Sequence, residues 1–406
     1  MVEQHGYTEK SMMPGIALAL VFLVLIGVLN VAPQSVSSVA KSPLWGRDLV
    51  IGLDRRGGRE RLEDSSRAGV TFLSSQQLLV YAVYRTSGQL SSRESPESSS
   101  PFRLHVWSVD SSSGQVRAER EWGTRVHDSA VQATAGGVLV RTGGIVKLYS
   151  PDLRDARELP FHLDANARVS THVSPTGKTI VIDQALRAPN EKRWSNPSYN
   201  DLEVLDAASL ATRYSWIVSP QLYGRYSISD VGIVASTNVN GAVIRSSHFG
   251  SSEWNVIFDD PSRTCVGDEP TAVTQEAVAI HCKELTVITD FGDSFSLPID
   301  FDALDGTAPE TCAAYTGSDK TTVASGAQVI ALSSHVERVK KHLLTEATVC
   351  LTAVRIAVFD LAHKKQIFAL NIDPLPTNDY DFALSPDGSS LAVLNDRRVS
   401  VYSVHP

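Results

Sequence analysis

Two stretches of this chain carry the same turn sequence between short alternating apolar runs. One is Ser174-Pro-Thr-Gly177 and the other is Ser385-Pro-Asp-Gly388. Ser at the first, Pro at the second and Gly at the fourth position are the residues that a type I turn favours. A strand, this turn and another strand, repeated along one chain, predict a fold built from copies of a single hairpin.

The repeat continues between the two hairpins with weaker turns. Each unit has an alternating apolar run, a turn, a second run and a polar strand that ends at Asp or Ser, and helical periodicity is almost absent after Ala40. Seven units of this kind predict an all-β, seven-bladed β-propeller of four-stranded antiparallel blades, preceded by an N-terminal apolar targeting helix. Six or eight blades stay open, because units four to six have weak turns.

The last unit has three strands where its siblings have four. It consists of the Ser385 hairpin and residues 399–404. A ring with an open edge would expose unpaired backbone groups, so we expect a distant segment to complete this blade. Residues 47–53 are β-like, and we predict that they close a single propeller domain spanning residues 41–406.

The two Ser-Pro-x-Gly hairpins make the chain similar to the WD40-like propellers of bacterial exported proteins, the group that includes the TolB type. The resemblance extends over residues 44–404 and is specific at 174–183 and 385–395. The Gly-His and Trp-Asp dipeptides of eukaryotic WD40 blades do not occur in the repeats. The resemblance therefore implies a fold and supplies no activity.

Residues 1–40 have the composition of a targeting segment. An uninterrupted apolar run, 16–29, follows Lys10 and precedes Ser38-Val39-Ala40, where small residues fit a signal-peptidase site. The run also fits a marginal membrane anchor when it is extended to 12–32. A signal peptide and a retained anchor both remain open. Both place the rest of the chain outside the cytoplasm: in the periplasm, secreted, or tethered to the outer face of the cytoplasmic membrane.

Four cysteines lie in the C-terminal part of the chain, at Cys265, Cys282, Cys312 and Cys350. Their wide spacing does not match the paired Cys-x-x-Cys pattern of zinc and thioredoxin sites. An even number in an exported protein favours two disulfides, and we expect Cys265–Cys282 and Cys312–Cys350 because each pair would join neighbouring strands. Four buried free thiols are the alternative.

The charge of the chain argues against nucleic-acid binding. Its formal net charge is -8, and its basic residues are scattered, whereas phosphate binding needs a clustered positive surface. We expect contact with a membrane only through the N-terminal segment, if that segment is retained.

Two segments supply candidates for a binding site and a metal site. The polar connection 188–200 carries the aromatic residues Trp194 and Tyr199, which could contact a ligand or pack onto the blade below. Asp300, Asp302 and Asp305 resemble a calcium loop, but their spacing is one residue off and no Glu follows at the bidentate position, so a polar loop is favoured.

No catalytic constellation is present in the sequence. A Gly-x-Ser-x-Gly nucleophile elbow does not occur, and Gly143-Gly144 lacks the spacing of a phosphate loop and is predicted to form a hairpin turn. The favoured function is a non-catalytic module that binds an unidentified protein or surface ligand without a cofactor. The alternative is a hydrolase or lactonase with a metal in the central channel, for which Asp128, Asp230 and Asp379 or Asp381 partly fit.

Overall fold

Short alternating runs form antiparallel strands throughout the part of the chain that the structure describes. This computed structural model describes residues 42–48, 68–85, 102–124, 129–164, 167–186, 199–218, 226–236, 242–260, 270–274, 277–281, 284–289, 294–299, 321–340, 348–376, 380–396 and 398–404. All of them lie within one compact unit, residues 38–406.

The strands are grouped in seven four-stranded sheets, and in six of them the strands follow chain order from the innermost to the outermost. Blade 1 consists of β2 (Ala68–Ser74), β3 (Gln77–Arg85), β4 (Phe102–Asp110) and β5 (Val116–Thr124), and blade 2 of β6 (Ser129–Thr134), β7 (Gly137–Thr142), β8 (Ile145–Tyr149) and β9 (Ala156–Glu158). Blade 3 consists of β10 (Arg168–Val173), β11 (Thr179–Leu186), β12 (Tyr199–Asp206) and β13 (Thr212–Val218), and blade 4 of β14 (Tyr226–Ile228), β15 (Gly232–Ser236), β16 (Ala242–His248) and β17 (Asn255–Asp260).

The remaining blades follow the same plan, except that the last takes its outer strand from the N-terminal side. Blade 5 consists of β18 (Thr271–Ala272), β19 (Ala277–His281), β20 (Glu284–Thr289) and β21 (Ser294–Pro298), and blade 6 of β22 (Thr321–Ala324), β23 (Val329–Lys340), β24 (Thr348–Asp360) and β25 (Lys365–Asn371). Blade 7 consists of β26 (Tyr380–Leu384), β27 (Ser390–Asn395), β28 (Arg398–Ser403) and β1 (Trp45–Asp48). A 3-10 turn, Ser325–Ala327, joins β22 to β23.

The apolar core lies between the blades. Each of the seven neighbouring pairs of blades, including the last with the first, shares its own cluster of buried side chains. Between blades 2 and 3, for example, Leu139 and Leu148 pack with Ile180 and Leu205. A fully buried aliphatic side chain contributes roughly 1.5–3 kcal/mol. The prediction of seven four-stranded antiparallel blades is confirmed.

A segment near the N-terminus completes blade 7. β1 pairs with β28 in an antiparallel register that places Trp45 opposite Val401. Two side chains of β1 also reach blade 1: Trp45 Nε1 donates to the Ser111 carbonyl at 2.6 Å, and Arg47 Nη1 donates to the Gly114 carbonyl at 2.8 Å. Of the segment 47–53, the first two residues lie in β1, and 49–53 lie outside the described residues.

The Ser-Pro-x-Gly turns form because their side chains bond the hairpin backbone. Ser174 Oγ accepts a hydrogen bond from the Thr179 N–H at 3.1 Å, and Ser385 Oγ accepts one from the Ser390 N–H at 2.9 Å. The turn glycine has a φ of +73° in the first hairpin and +69° in the second. This left-handed region favours glycine. The glycine pair at 143–144 likewise joins β7 to β8 as a hairpin turn.

The two ends of the strands carry different connections. At one end, neighbouring blades bond through their tight turns: the Ala135 N–H donates to the Gly177 carbonyl, and Thr176 Oγ1 donates to Asp230. We call this end the turn face; its longest connections within a blade are 150–155 and 249–254. At the opposite end, which we call the loop face, lie the ends of β1, β3, β11, β17 and β21, each of which is followed by ten or more residues before the next strand begins.

Residues 1–40, for which the sequence predicts a targeting helix, lie outside the described residues. In the part of the chain that is described, no helix has the length and apolar character needed to span a membrane.

Candidate functional site

Most of the sequence-based site candidates lie outside the described residues. This applies to Trp194, Asp300, Asp302 and Asp305, and to Cys265, Cys282 and Cys312. Cys350 lies in β24, where its backbone is opposite Arg338. Tyr199 is described: it is the first residue of β12, is half-buried and is opposite Leu186 of β11.

Tyr199 shares one face of blade 3 with two carboxylates. Side chains alternate along a strand, so Tyr199, Asp201 and Glu203 point to the same side of β12. The register with β13 places Ile217 opposite Asp201 and Ser215 opposite Glu203. These five residues, which we call the blade-3 corner, lie at the outer edge of blade 3, on the side that faces blade 2.

Among the described residues, blade 2 leaves part of the blade-3 corner exposed because its outer strand is short. β9 is only three residues long, and all three are exposed. The connection after it covers the inner part of blade 3, where the Asp164 N–H donates to Gln184 Oε1 at 2.8 Å. Gln184 lies opposite Asp201, one strand further in. Beyond this point Ile217 is 67% exposed.

Both carboxylates of the corner are half-buried and have raised pKa values. Loss of hydration raises the pKa of Asp201. Loss of hydration also raises the pKa of Glu203, partly opposed by the Ser215 hydroxyl, which donates to Glu203 Oε1 at 2.9 Å, and reinforced by the negative charge of Asp201. Among the described residues, no Lys or Arg forms an ion pair with either carboxylate. The corner therefore presents negative charge beside an exposed apolar side chain.

The opposite face of β12 is anchored to blade 4 by buried polar groups. Asp183 accepts hydrogen bonds from Asn200 Nδ2 and from the Tyr226 hydroxyl, both at 2.7 Å. Burial raises the pKa of Asp183. The His172 ring lies 4.4 Å from the ring of Tyr226, and burial, with the charge of Arg141, lowers the pKa of His172 to about 4. These contacts fix the position of β12 on its face towards blade 4, opposite the blade-3 corner.

A small cavity adjoins this anchor. It is lined by Asn200, Leu202, Val218, Tyr226 and Ile233. Asn200 Oδ1 is buried and has no hydrogen-bond partner among the described residues. A buried polar atom of this kind is commonly satisfied by an ordered water. The cavity fits such a structural role in the joint between blades 3 and 4.

The described residues contain no group of three or more His, Cys, Asp or Glu side chains arranged to hold a metal ion. Asp381 lies at the start of inner strand β26, where Oδ2 accepts the Val70 N–H of blade 1 at 2.8 Å. Asp230, the other described candidate for a metal in the central channel, does not begin an inner strand, because it follows β14 in a tight turn on the turn face. These two carboxylates are therefore at opposite ends of their blades.

Sequence reasoning missed Asp201, Glu203 and Ile217. The alternation of Asp201 and Glu203 with the buried Leu202 and Val204 was visible in the sequence, and it indicates a strand with one polar face. What the sequence did not show was the short outer strand of blade 2, which leaves that polar face uncovered.

Solved structures that resemble this chain include the following two. The crystal structure of a mitotic checkpoint complex matches at 12% identity over 100% of both chains, with a TM-score of 0.47. The crystal structure of the C-terminal WD40 domain of Sif2 matches at 10% identity over 90% of this chain and 98% of that chain, with a TM-score of 0.41. No family model and no curated protein matches the chain. The assignment of seven blades rests on the strand order and on the clusters between blades.

Proposed function

We propose that this protein is a non-catalytic β-propeller that binds another protein through its loop face and the adjoining blade-3 corner. The observation that supports this most is the contrast between the two faces. Tight turns bonded from blade to blade occupy the turn face, whereas the strands that are followed by ten or more residues before the next strand all end at the loop face. Binding residues are disproportionately found on loops that a rigid scaffold positions.

The blade-3 corner adds a described surface to this proposal. Tyr199 and Ile217 lie near the loop-face ends of β12 and β13, beside two carboxylates without a cation partner among the described residues. Apolar side chains rimmed by polar groups are typical of surfaces that bind proteins. The exposed apolar area and the negative charge together favour a protein partner over a small ligand, which would need a deeper concave site.

Site-specific photo-crosslinking in the cells that make the protein tests this proposal. A benzophenone amino acid replaces Tyr199 or Gly144 on the loop face, and Ala208 or Ser113 on the turn face; Gly144, Ala208 and Ser113 are exposed. We expect both loop-face positions to crosslink to the same protein and both turn-face positions to give no adduct. Adducts from the turn face alone, or from neither face, contradict the proposal.

We further propose that the propeller is exported, and is either released or tethered by residues 1–40. The support is the apolar run 16–29 and the small residues Ser38 and Ala40. N-terminal sequencing of the mature protein should begin at Lys41 if the segment is cleaved. Extraction only by detergent, with the N-terminus intact, would identify an anchor. Recovery of an intact chain from the soluble cytoplasm would contradict both forms.

A further inference from the structure

The outer strand of blade 3 has an edge that is poorly protected against pairing. β13 reads Thr-Arg-Tyr-Ser-Trp-Ile-Val, and its single charged residue, Arg213, is paired with Asp206. Tyr214 is 46% exposed and Ile217 is 67% exposed. Among the described outer strands, no other carries two exposed large apolar side chains. Natural proteins usually protect such edges with charges, proline or very short strands.

Three other outer strands show these protections. β5 carries four charged residues, β17 ends in two aspartates, and β21 ends in proline. The irregularity in β13 occurs near its start, where the register shifts opposite Val204 and Leu205. From Tyr214 to Val218 the pairing with β12 is regular. A regular edge of this length can accept another strand through backbone hydrogen bonds.

The chemistry beside this edge specifies the incoming strand. Asp201 lies opposite Ile217, and Glu203 lies opposite Ser215. A strand added to β13 would place one of its residues beside Ile217 and another beside Ser215, on the side of β13 away from the carboxylates. The carboxylates would then lie two strand spacings, about 10 Å, from the new backbone. A long basic side chain opposite Ser215 would pass over this small residue to reach Glu203. A cation there would relieve the repulsion between Asp201 and Glu203 and supply an ion pair that neither carboxylate has among the described residues.

We propose that β13 binds an extended segment of a partner protein as a fifth strand of blade 3, with Lys or Arg at alternate positions facing Asp201 and Glu203. The inference rests on the proposed function and names the partner's chemistry. A second copy of the chain fits less well. Pairing two β13 edges would bring two sets of these carboxylates together, in a chain whose formal net charge is -8, and like charges oppose such contacts.

Three nine-residue peptides test the pairing on the full-length protein. The first alternates arginine and valine, the second alternates glutamate and valine, and the third is the first with every backbone nitrogen methylated. We expect the first to bind at least about tenfold more tightly than the other two, with an affinity that falls as salt rises. Hydrogen exchange should slow at residues 212–218. Equal binding of the methylated peptide, or protection confined to other strands, overturns the proposal.

Two matched variants locate the contact. Ile217→Lys adds a positive charge beside Asp201, and Val256→Lys makes the same change on the outer strand of blade 4, where Val256 is 54% exposed. Ile217→Lys should weaken the arginine–valine peptide about tenfold, whereas Val256→Lys should change its affinity less than about twofold. The neutral pair Asp201→Asn and Glu203→Gln should weaken it to a similar extent. Equal effects of the two lysine variants overturn the assignment to β13.

Two further outcomes separate this inference from the proposed function. A dimer seen by light scattering that dissociates in Ile217→Lys would identify a second copy as the occupant and overturn the inference. If the peptides fail to bind while Tyr199 and Gly144 still crosslink to one protein, only the inference fails. If benzophenone at Tyr199 and at Gly144 gives no crosslink in a protein that is otherwise unaltered, the proposed function fails.

Discussion

Asp206 illustrates how one carboxylate fixes the turn between two outer strands. Its Oδ1 accepts the Ala208 N–H at 3.2 Å, and the N–H and hydroxyl of Ser209, both at 2.9 Å, while Oδ2 pairs with Arg213. The same arrangement recurs in blade 1, where Asp110 bonds two serines and Arg117. The repeat keeps this turn because the side chain replaces backbone hydrogen bonds that the turn leaves unmade.

These bonds make part of the free energy of unfolding depend on pH. The backbone and hydroxyl of Ser209, and then Arg213, lower the pKa of Asp206 to about 2. Because the folded pKa lies below the unfolded value of about 3.9, the carboxylate stabilises the fold fully above pH ~4, and this contribution is lost as the pH falls towards 2. We expect Asp206→Asn to lower the free energy of unfolding at pH 6, with a deficit that shrinks between pH 4 and pH 2.

Urea unfolding at a series of pH values measures this deficit. Ser209→Ala serves as a matched variant, because it removes the hydroxyl donor and leaves the charge of Asp206. It should shift the loss of stability to higher pH. A deficit for Asp206→Asn that stays constant from pH 6 to pH 2 would show that the charge of Asp206 contributes nothing to the fold.

At the scale of hairpins, glycines in two turns of blade 2 have different tasks. A Cβ at Gly136 would lie 1.9 Å from the Ala207 carbonyl oxygen of blade 3, so the turn packs directly on its neighbour. Gly143 has a φ of +62° but open space around it, and Gly144 has open space without a left-handed φ. Gly136 is therefore constrained by close packing and Gly143 by its backbone conformation, whereas Gly144 is constrained by neither.

Alanine substitutions should therefore rank in a fixed order. Gly144→Ala should leave stability within about 0.5 kcal/mol, and Gly143→Ala should cost about 1 kcal/mol because the residue needs a left-handed conformation. Gly136→Ala should cost about 3 kcal/mol or more, because the clash is with backbone and the blades must separate. Urea unfolding of the three variants measures the order. Equal stability of Gly136→Ala and Gly144→Ala would contradict the observed contact.

The hairpins could be predicted from the sequence, whereas the exposed part of the blade-3 corner could not. The bonds of Ser174 and Ser385 are local, between residues five apart, so their pattern is visible in the chain. The blade-3 corner depends on the short β9 and on the register of β13. Both arise from packing between segments, which alternation along one strand does not reveal. The polar face of β12 was therefore predictable, and its exposure was not.

At the scale of the whole molecule, the ring is closed by more than one kind of contact. Blade 7 shares with blade 1 a buried apolar cluster that includes Phe72, Leu78 and Val401. Asp381 also accepts the Val70 N–H across the same junction. β1 adds a third contact, because its side chains reach from the outer edge of blade 7 to the outer turn of blade 1. Losing any one of these contacts weakens a joint on which both neighbouring blades depend.

Removal of β1 should accordingly destabilise the entire propeller. A chain that begins at residue 49 loses the pairing of Trp45–Asp48 with β28 and the bonds of Trp45 and Arg47 to blade 1. We expect a lower urea midpoint and a smaller m-value, since an unprotected last blade unfolds before the others.

Trp45→Phe, which removes only the indole donor, should cost about 1 kcal/mol. Leu44→Ala is the control, because Leu44 is 62% exposed and should be neutral. If the shortened chain unfolds at the same urea concentration and with the same m-value as the full chain, the N-terminal strand does not hold the ring closed.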